Sequence, residues 1–264
     1  MLTRRLPSRR NVVRGIVASA GAALLAGCKQ FDGISQAPWF RKNVLHVGED
    51  INTAVQGFFL RPSSMAREFS AADISPKFKA NGTIRPNDPD YQALAADGFA
   101  DYRLKVGGLV ENPMEFSLAD LRAMPSRTQI TRHDCVEGWS CIGKWSGVQL
   151  ALVLDRVKLK PEARYIMFTC FDKLEQTADE TGRYYETHSL EDAYHPQTIL
   201  AYDMNDAVLD VPHGAPLRLR TERTLGYKMA KYIRSIDAID DYSKISLGNG
   251  GFWEDRGYDW YAGI

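Results

Sequence analysis

The residues of this 264-residue chain best suited to chemistry are one cysteine and two basic, glycine-containing segments. Cys135 sits in Thr131-Arg132-His133-Asp134-Cys135-Val136-Glu137-Gly138-Trp139-Ser140, where a strand pattern ends in a Gly-containing loop, the usual station for a functional side chain on a rigid scaffold. Neighbouring Arg132 and His133 favour the thiolate, the form that attacks carbon or binds metal. Residue types alone admit three readings: a structural Cys135–Cys141 disulfide, a cysteine nucleophile paired with His133, and a soft-metal ligand. The disulfide ranks first, because bridges are common outside the cytoplasm. The second constellation is His213-Gly214-Ala215-Pro216-Leu217-Arg218 followed by Leu225-Gly226-Tyr227-Lys228. Basic donors beside glycines that allow close backbone approach suit an anionic group such as phosphate, and Arg218 can bind it with two N–H groups at once. The competing reading is a solvated basic face on a hairpin. Zinc has little support without CxxC or HExxH spacing, and His46, His188 and His195 read as structural. No GxSxG, P-loop or GxGxxG after a strand is present, which removes the usual hydrolase and nucleotide signatures.

The elements that must position these residues begin near Asp101. Alternation in Tyr102-Arg103-Leu104-Lys105-Val106 predicts a strand, and Ser117-Leu118-Ala119-Asp120 is a capping box that opens a short helix ending before Pro125. Thr128–Arg132 predicts a strand leading to Cys135, Gln149–Val157 a helix, Tyr165–Thr169 a buried strand, and Ser189-Leu190-Glu191-Asp192 another helix start. Ile199–Met204, Leu217–Thr221 and Tyr232–Ile239 read as strands, the first two joined through a turn at Asn205-Asp206. Strands with short helices between them predict a mixed, β-rich α+β domain. Residues 28–98, broken by Pro38, Pro62, Pro76, Pro86 and Pro89, read as an arm with one short helix near Ser63–Phe69, and residues 99–264 as the catalytic domain. The aromatic tail from Phe252 to Tyr261 reads as a segment docked on the body.

Residues 1–27 read as a targeting signal: Arg4, Arg5, Arg9, Arg10 and Arg14 without an acid, then an apolar run from Gly15 to Gly27 too short to span a bilayer. Ser8-Arg9-Arg10-Asn11-Val12-Val13 resembles a twin-arginine export signal, and Leu25-Ala26-Gly27-Cys28 resembles a lipoprotein cleavage site that would leave Cys28 lipidated on an extracytoplasmic membrane face. Twin-arginine export carries folded proteins, so a cofactor loaded before export is expected. The whole chain has 33 basic and 33 acidic residues; without the signal 28 basic face 33 acidic, a balance unsuited to nucleic acid.

Cys135-Val136-Glu137-Gly138-Trp139-Ser140, with His213 to Arg218 and Gly226-Tyr227-Lys228, resembles the molybdopterin-binding domain of the sulfite oxidase family from about Asp101 to Asp241. The likeness is closest to the exported bacterial branch that includes a periplasmic methionine sulfoxide reductase. The resemblance implies a molybdenum-molybdopterin cofactor with a single pterin, Cys135 as the one protein thiolate on the metal, His213 and Arg218 at the pterin phosphate arm, and Gly226, Tyr227 and Lys228 closing over it. It also implies that Arg67 and Glu68, in Arg67-Glu68-Phe69, match a short pterin-contacting stretch whose tyrosine Arg67 replaces. Cys170, with Thr169 as the alternative match, stands near the position where that branch has a threonine beside metal-bound solvent. Authentic sulfite oxidases carry an arginine pair after the cysteine, where this chain has Ile142-Gly143-Lys144. The implied activity is two-electron oxygen-atom transfer on a small substrate, sulfoxide or sulfite, by a catalytic unit without an immunoglobulin-like or haem domain. Electrons would pass to or from a separate membrane-bound haem or quinone-linked partner. The rival readings are a cofactor-free cysteine enzyme and a lipid-anchored, non-catalytic binding protein that keeps the fold.

Overall fold

The computed structural model describes residues 64–264, all within one unit spanning Gln56–Ile264. The expected signal, Cys28 and His46 lie outside the described residues. The first sheet grows from alternating sequence: in β1 (Arg103–Gly108) Leu104 and Val106 turn inward while Arg103 and Lys105 face solvent. Its order is β2 (Met114–Ser117), β1, β10 (Ile233–Ile239), β5 (Tyr165–Lys173), β6 (Arg183–Ser189), with only β1 and β10 parallel. Gly108 permits that parallel contact, because a Cβ there would meet the Ala238 carbonyl oxygen at 2.3 Å. The second sheet runs β3 (Ser126–Asp134), β4 (Ser140–Gln149), β7 (Ile199–Met204), β8 (Ala207–Val208), with β9 (Arg218–Arg220) paired to β7.

Helices are short: α1 (Pro89–Ala96), α2 (Leu118–Ala123), α3 (Leu150–Val157) and α4 (Leu190–Ala193). Leu150, Val153, Leu154 and Val157 form the buried stripe of α3 at the spacing one helix face requires. These join side chains of both sheets in the main core; Phe78, Trp145, Ile199, Ala201, Met204 and Leu209 form a smaller one, with Phe78 arriving from an irregular strap at residues 75–85. The mixed α+β class expected from the sequence is the one observed.

Several local expectations change. Residues 64–69 are irregular, not helical, and Phe69 spends its N–H on the Ile130 carbonyl of β3 (2.8 Å); a 3-10 turn follows at Ala71–Asp73. The arm includes α1, capped by Asp88, whose carboxylate accepts from the amides of Asp90 and Tyr91, with Pro89 in the first turn. The turn at Asn205-Asp206, with φ of 50° and 65°, closes a hairpin to β8 before the chain returns as β9. The Cys135–Cys141 bridge is absent and both thiols are free. Cys141 lies inside the β3/β4 ladder opposite His133, with Sγ toward the Lys77 carbonyl, whereas Cys135 lies beyond the last ladder pair, in the connecting loop. The aromatic tail docks as expected: Trp260 stacks on Tyr242 and donates to the Thr187 hydroxyl (2.8 Å).

Candidate active site

The loop carrying Cys135 is built by the strands it joins. Asp134 accepts from Arg132 Nε (2.9 Å) and Ser140 Oγ (2.5 Å), pinning the hairpin's base. The Cys135 N–H donates to the Trp139 carbonyl and the Gly138 N–H to the Cys135 carbonyl, both at 3.0 Å; Gly138 supplies the positive φ of 82° that the turn needs. Cys135 is half-buried. Burial pushes its thiol up, a backbone hydrogen bond at Glu137 works against that, the Glu137 charge raises it further, and Lys79 and Arg218 lower it. The expected activation by Arg132 and His133 is therefore not the arrangement found: Arg132 is paired with Asp134, and His133 is buried. A bound metal cation, which deprotonates a coordinating thiol outright, would supply what the side chains do not.

Beside this loop lies an unusual concentration of buried nitrogen donors. Arg218 and Arg220 are both fully buried and approach the ring of Trp145 at 5.1 and 4.4 Å. Arg220 is matched: Glu222 accepts from it at 2.9 and 2.6 Å. Among the described residues Arg218 has no carboxylate hydrogen-bond partner; it donates to the His213 carbonyl (3.1 Å) and to Asn81 Oδ1 (3.4 Å), and its Nε meets no acceptor there. Burial and the adjacent Arg220 hold Arg218 down to about 9. His133 Nδ1 accepts from Arg220 (3.1 Å), which leaves the hydrogen on Nε2, and that N–H too has no acceptor among the described residues. Burial, Arg218, Arg220 and Lys231 keep this imidazole neutral, well below its ordinary value. The Trp145 indole N–H is a third buried donor without an acceptor among the described residues. Phe78 packs against Trp145, His133 and His213 at 5.3–5.8 Å, so these donors share one aromatic nest. Buried donors normally find acceptors, and three unmet ones with an uncompensated guanidinium call for an acceptor-rich anion.

A cleft of about 170 Å³ opens next to the nest, lined by Cys135, Val136, Glu137, Asp172, Tyr184, Gly226, Tyr227, Lys231, Trp253 and Tyr258, among others. Its floor depends on glycine: a Cβ on Gly226 would lie 2.3 Å from His133 Cε1. Lys231 donates to the carbonyls of Asn81 (2.7 Å), Thr83 (2.5 Å) and Pro212 (3.0 Å), tying the strap across this end. Burial and Arg218 hold its ammonium down to about 7.

Among the residues singled out by sequence, Cys135, Gly226 and Tyr227 line the cleft, and Arg218 and His213 stand in the adjoining nest, His213 with Nδ1 on Asp210 (2.6 Å). Others are placed elsewhere. The Lys228 ammonium is buried between Glu186 (2.5 Å) and Glu254 (2.7 Å). Cys170 is in the main core with its thiol pushed well up by burial. Arg67 and Glu68 are exposed outside the cleft lining; Glu68 is bound to Arg127 and Gln197, and Arg67 lies over the Phe69 ring. Sequence reasoning missed Lys231, Arg220 and Asp172. The first two carried a signal, since a cation inside a strand-like apolar run must either be paired or serve a ligand.

The oxidoreductase molybdopterin binding domain model matches residues 91–246. The chain belongs to that family. It is a molybdopterin-dependent oxidoreductase of the sulfite oxidase family, near the methionine sulfoxide reductase branch, and its mixed fold is the family's. A relative from Azospira oryzae, provisionally named protein-methionine-sulfoxide reductase subunit YedZ1, is 34% identical over 98% of this chain and 88% of its own. The catalytic subunits MsrP of protein-methionine-sulfoxide reductases from Campylobacter jejuni and Ralstonia nicotianae are 28% and 32% identical over 62% and 64% of this chain. The matched region spans 57% and 49% of those two proteins. A solved structure, the sulfane dehydrogenase SoxCD from Paracoccus pantotrophus, aligns with 54% of this chain and 39% of its own at 24% identity and a TM-score of 0.47. The molybdopterin family and the nest agree on one point: unmet N–H donors and an unpaired guanidinium fit a pterin, rich in acceptors, that carries a phosphate.

Proposed function

We propose that this chain is the catalytic subunit of a sulfoxide reductase that acts on methionine sulfoxide, with one molybdopterin held beside Cys135. Its Sγ would ligate the metal, Arg218 would face the phosphate arm, and the donors of His133 and Trp145 would meet acceptors of the pterin. When bound, the cofactor supplies two-electron oxygen-atom transfer. The protein's own contribution is to orient Cys135 through the pinned hairpin, to keep the nest cationic, and to shape substrate entry. The observation that carries the choice of substrate is the cleft's lining: Val136, Leu174, Trp253 and Tyr258 form an apolar and aromatic mouth, and Glu137 and Asp172 bring carboxyl groups. A neutral sulfoxide on a thioether side chain suits that lining; the ammonium of Lys231 is spent on three carbonyls, which leaves a sulfite dianion facing the two carboxyl groups. The names of the Azospira, Campylobacter and Ralstonia relatives support the same reading.

Electrons would come from a separate membrane-bound haem or quinone-linked partner, and the chain would work outside the cytoplasm, sent by the twin-arginine signal and anchored through lipidated Cys28. The deciding experiment assays purified, cofactor-loaded protein with a reduced viologen dye and methionine sulfoxide, free and in peptides, beside sulfite with ferricyanide. Sulfoxide-dependent dye oxidation is expected; sulfite turnover without sulfoxide turnover would overturn the reading. Fractionation of cells labelled with a fatty-acid probe tests the anchor: label on the protein, lost in Cys28→Ala, is the expected result.

A further inference from the structure

Reduction of a sulfoxide to its thioether takes up two electrons and two protons, breaks one S–O bond, and puts both protons on the departing oxygen, which leaves as water. The two electrons arrive through the cofactor from the external donor, so the protein must deliver protons to the cleft. Among the titratable side chains that line it, Glu137 is exposed and committed to Trp139 Nε1 (2.9 Å) and Lys79 (3.3 Å). Tyr184 and Tyr227 donate their hydroxyls to the carbonyls of Tyr227 and Asp259, and Lys231 spends its donors on three carbonyls. Asp172 differs. It lies at the end of β5, is 5% exposed, lines the same cleft as Cys135, and its Oδ1 is buried with no hydrogen-bond partner among the described residues. A bare buried carboxylate oxygen is costly, and the same atom carrying a proton is a donor without an acceptor in the protein.

We propose that Asp172 is the catalytic acid of this cleft, passing a proton to the oxygen released from the sulfoxide and regaining one from cleft water before the second transfer. The inference rests on the sulfoxide reading above and adds to it a residue that no sequence motif marked. The surroundings fit the role. Burial raises the Asp172 carboxyl to about 6, with Lys231 foremost, then the Thr83 hydroxyl and Arg183, opposing that rise. The other titratable groups facing it are neutral at that pH: Tyr91 from α1, Tyr184 from β6, Tyr232 at the start of β10 and Cys170 on its own strand, each pushed upward chiefly by burial. An acid poised there is charged or neutral according to the solvent near neutral pH, as proton transfer requires.

The test uses wild-type protein and the variants Asp172→Asn and Asp172→Glu, all made with cofactor, and cofactor-free samples of each. Asp172→Asn should keep its molybdenum and pterin content and lower kcat for dimethyl sulfoxide by about 100-fold. It should also lose the fall in rate that the wild type shows as pH rises through about 6. Asp172→Glu should recover part of the rate. In cofactor-free wild type, infrared difference spectra should show a protonated carboxyl band that titrates over the same range and is missing in Asp172→Asn. Wild-type kcat and an unchanged pH limb in Asp172→Asn would overturn the proposal and leave the sulfoxide reading intact. Loss of cofactor from that variant would recast Asp172 as a cofactor contact and overturn its role as acid. A fully loaded wild type that reduces no sulfoxide would remove the functional reading and this proposal together.

Discussion

Replacing Arg218 by methionine should separate stability from function, with opposite signs. The guanidinium is fully buried, has no carboxylate partner among the described residues, and is held down to about 9 from an ordinary value above 12. At roughly 1.4 kcal/mol per pKa unit, keeping the charge there costs the cofactor-free fold about 5 kcal/mol. Methionine keeps most of the length, fills much of the volume and carries no charge. It forfeits the approach to the Trp145 ring, about 1 kcal/mol, and hydrogen bonds to the His213 carbonyl and Asn81, about 1 kcal/mol each. The balance leaves cofactor-free Arg218→Met about 1–2 kcal/mol more stable than wild type, as when buried charges are exchanged for apolar groups. With cofactor the sign reverses, because the phosphate loses its partner. The assay is urea unfolding of protein made in a host without molybdopterin synthesis, alongside pterin content of protein made in a host with it. A higher urea midpoint and at least a tenfold loss of pterin are expected. A cofactor-free variant destabilised by more than about 1 kcal/mol would refute the reasoning, since the cation would then be serving the fold.

Gly226→Ala should place a methyl 2.3 Å from His133 Cε1 and 2.5 Å from its Nε2, costing about 1–3 kcal/mol in thermal unfolding and lowering pterin content. Lys228→Met should strip the counter-charge from Glu186 and Glu254 and destabilise by about 3–5 kcal/mol at pH 7. Burial and Glu254 already hold the Glu186 carboxyl well above its ordinary value, so protonation neutralises it as pH falls, and the deficit in urea unfolding should shrink as the pH is lowered from 7. Burial and Lys228 hold His188 down to about 4, so the unfolded chain takes up a proton near 6.5 before the native state does. Stability should fall by up to about 3 kcal/mol as pH drops from 6.5 to 4, and His188→Gln should flatten that limb in urea titrations.

What sequence made legible followed from local rules. β1 announced itself by alternation, α2 and α4 by Ser117 and Ser189 caps, and the turn that ends β7 by Asn205-Asp206, though not the short β8 that follows it. What it hid had a common cause, polar or glycine-rich strands whose pattern is set by the tertiary site. β4 carries Gly143 beneath Phe78 and Gly147 against the Leu200 carbonyl, and β6 buries Tyr184, Glu186 and His188. In β4 burial alternates from Gly143 to Gly147, but glycines on the buried face leave no apolar signal; β6 is buried on both faces from Tyr184 to His188, so its sequence does not alternate. In the site, spacing pointed to Cys135, Arg218 and Gly226. It could not tell that Lys228 turns to a carboxylate pair while Lys231 and Asp172 reach the cleft, since adjacent residues in a tight segment differ only in direction. Cys135 had an ambiguous context in residue types, and a disulfide was the natural first reading; the hairpin that sets Cys141 inside the ladder and Cys135 beyond it decides otherwise.

The central claim is that Cys135 supplies the one protein sulfur to a molybdenum held by a pterin in this cleft. The most direct measurement is molybdenum content with X-ray absorption of the metal, made on purified wild type, Cys135→Ser, Cys141→Ser and Cys170→Ser from a host that synthesises the cofactor. Wild type, Cys141→Ser and Cys170→Ser should carry near-stoichiometric metal with the same sulfur coordination, and Cys135→Ser should show one fewer sulfur neighbour on whatever metal it retains. An unchanged sulfur shell in Cys135→Ser, or folded wild type without metal or pterin, would contradict the account.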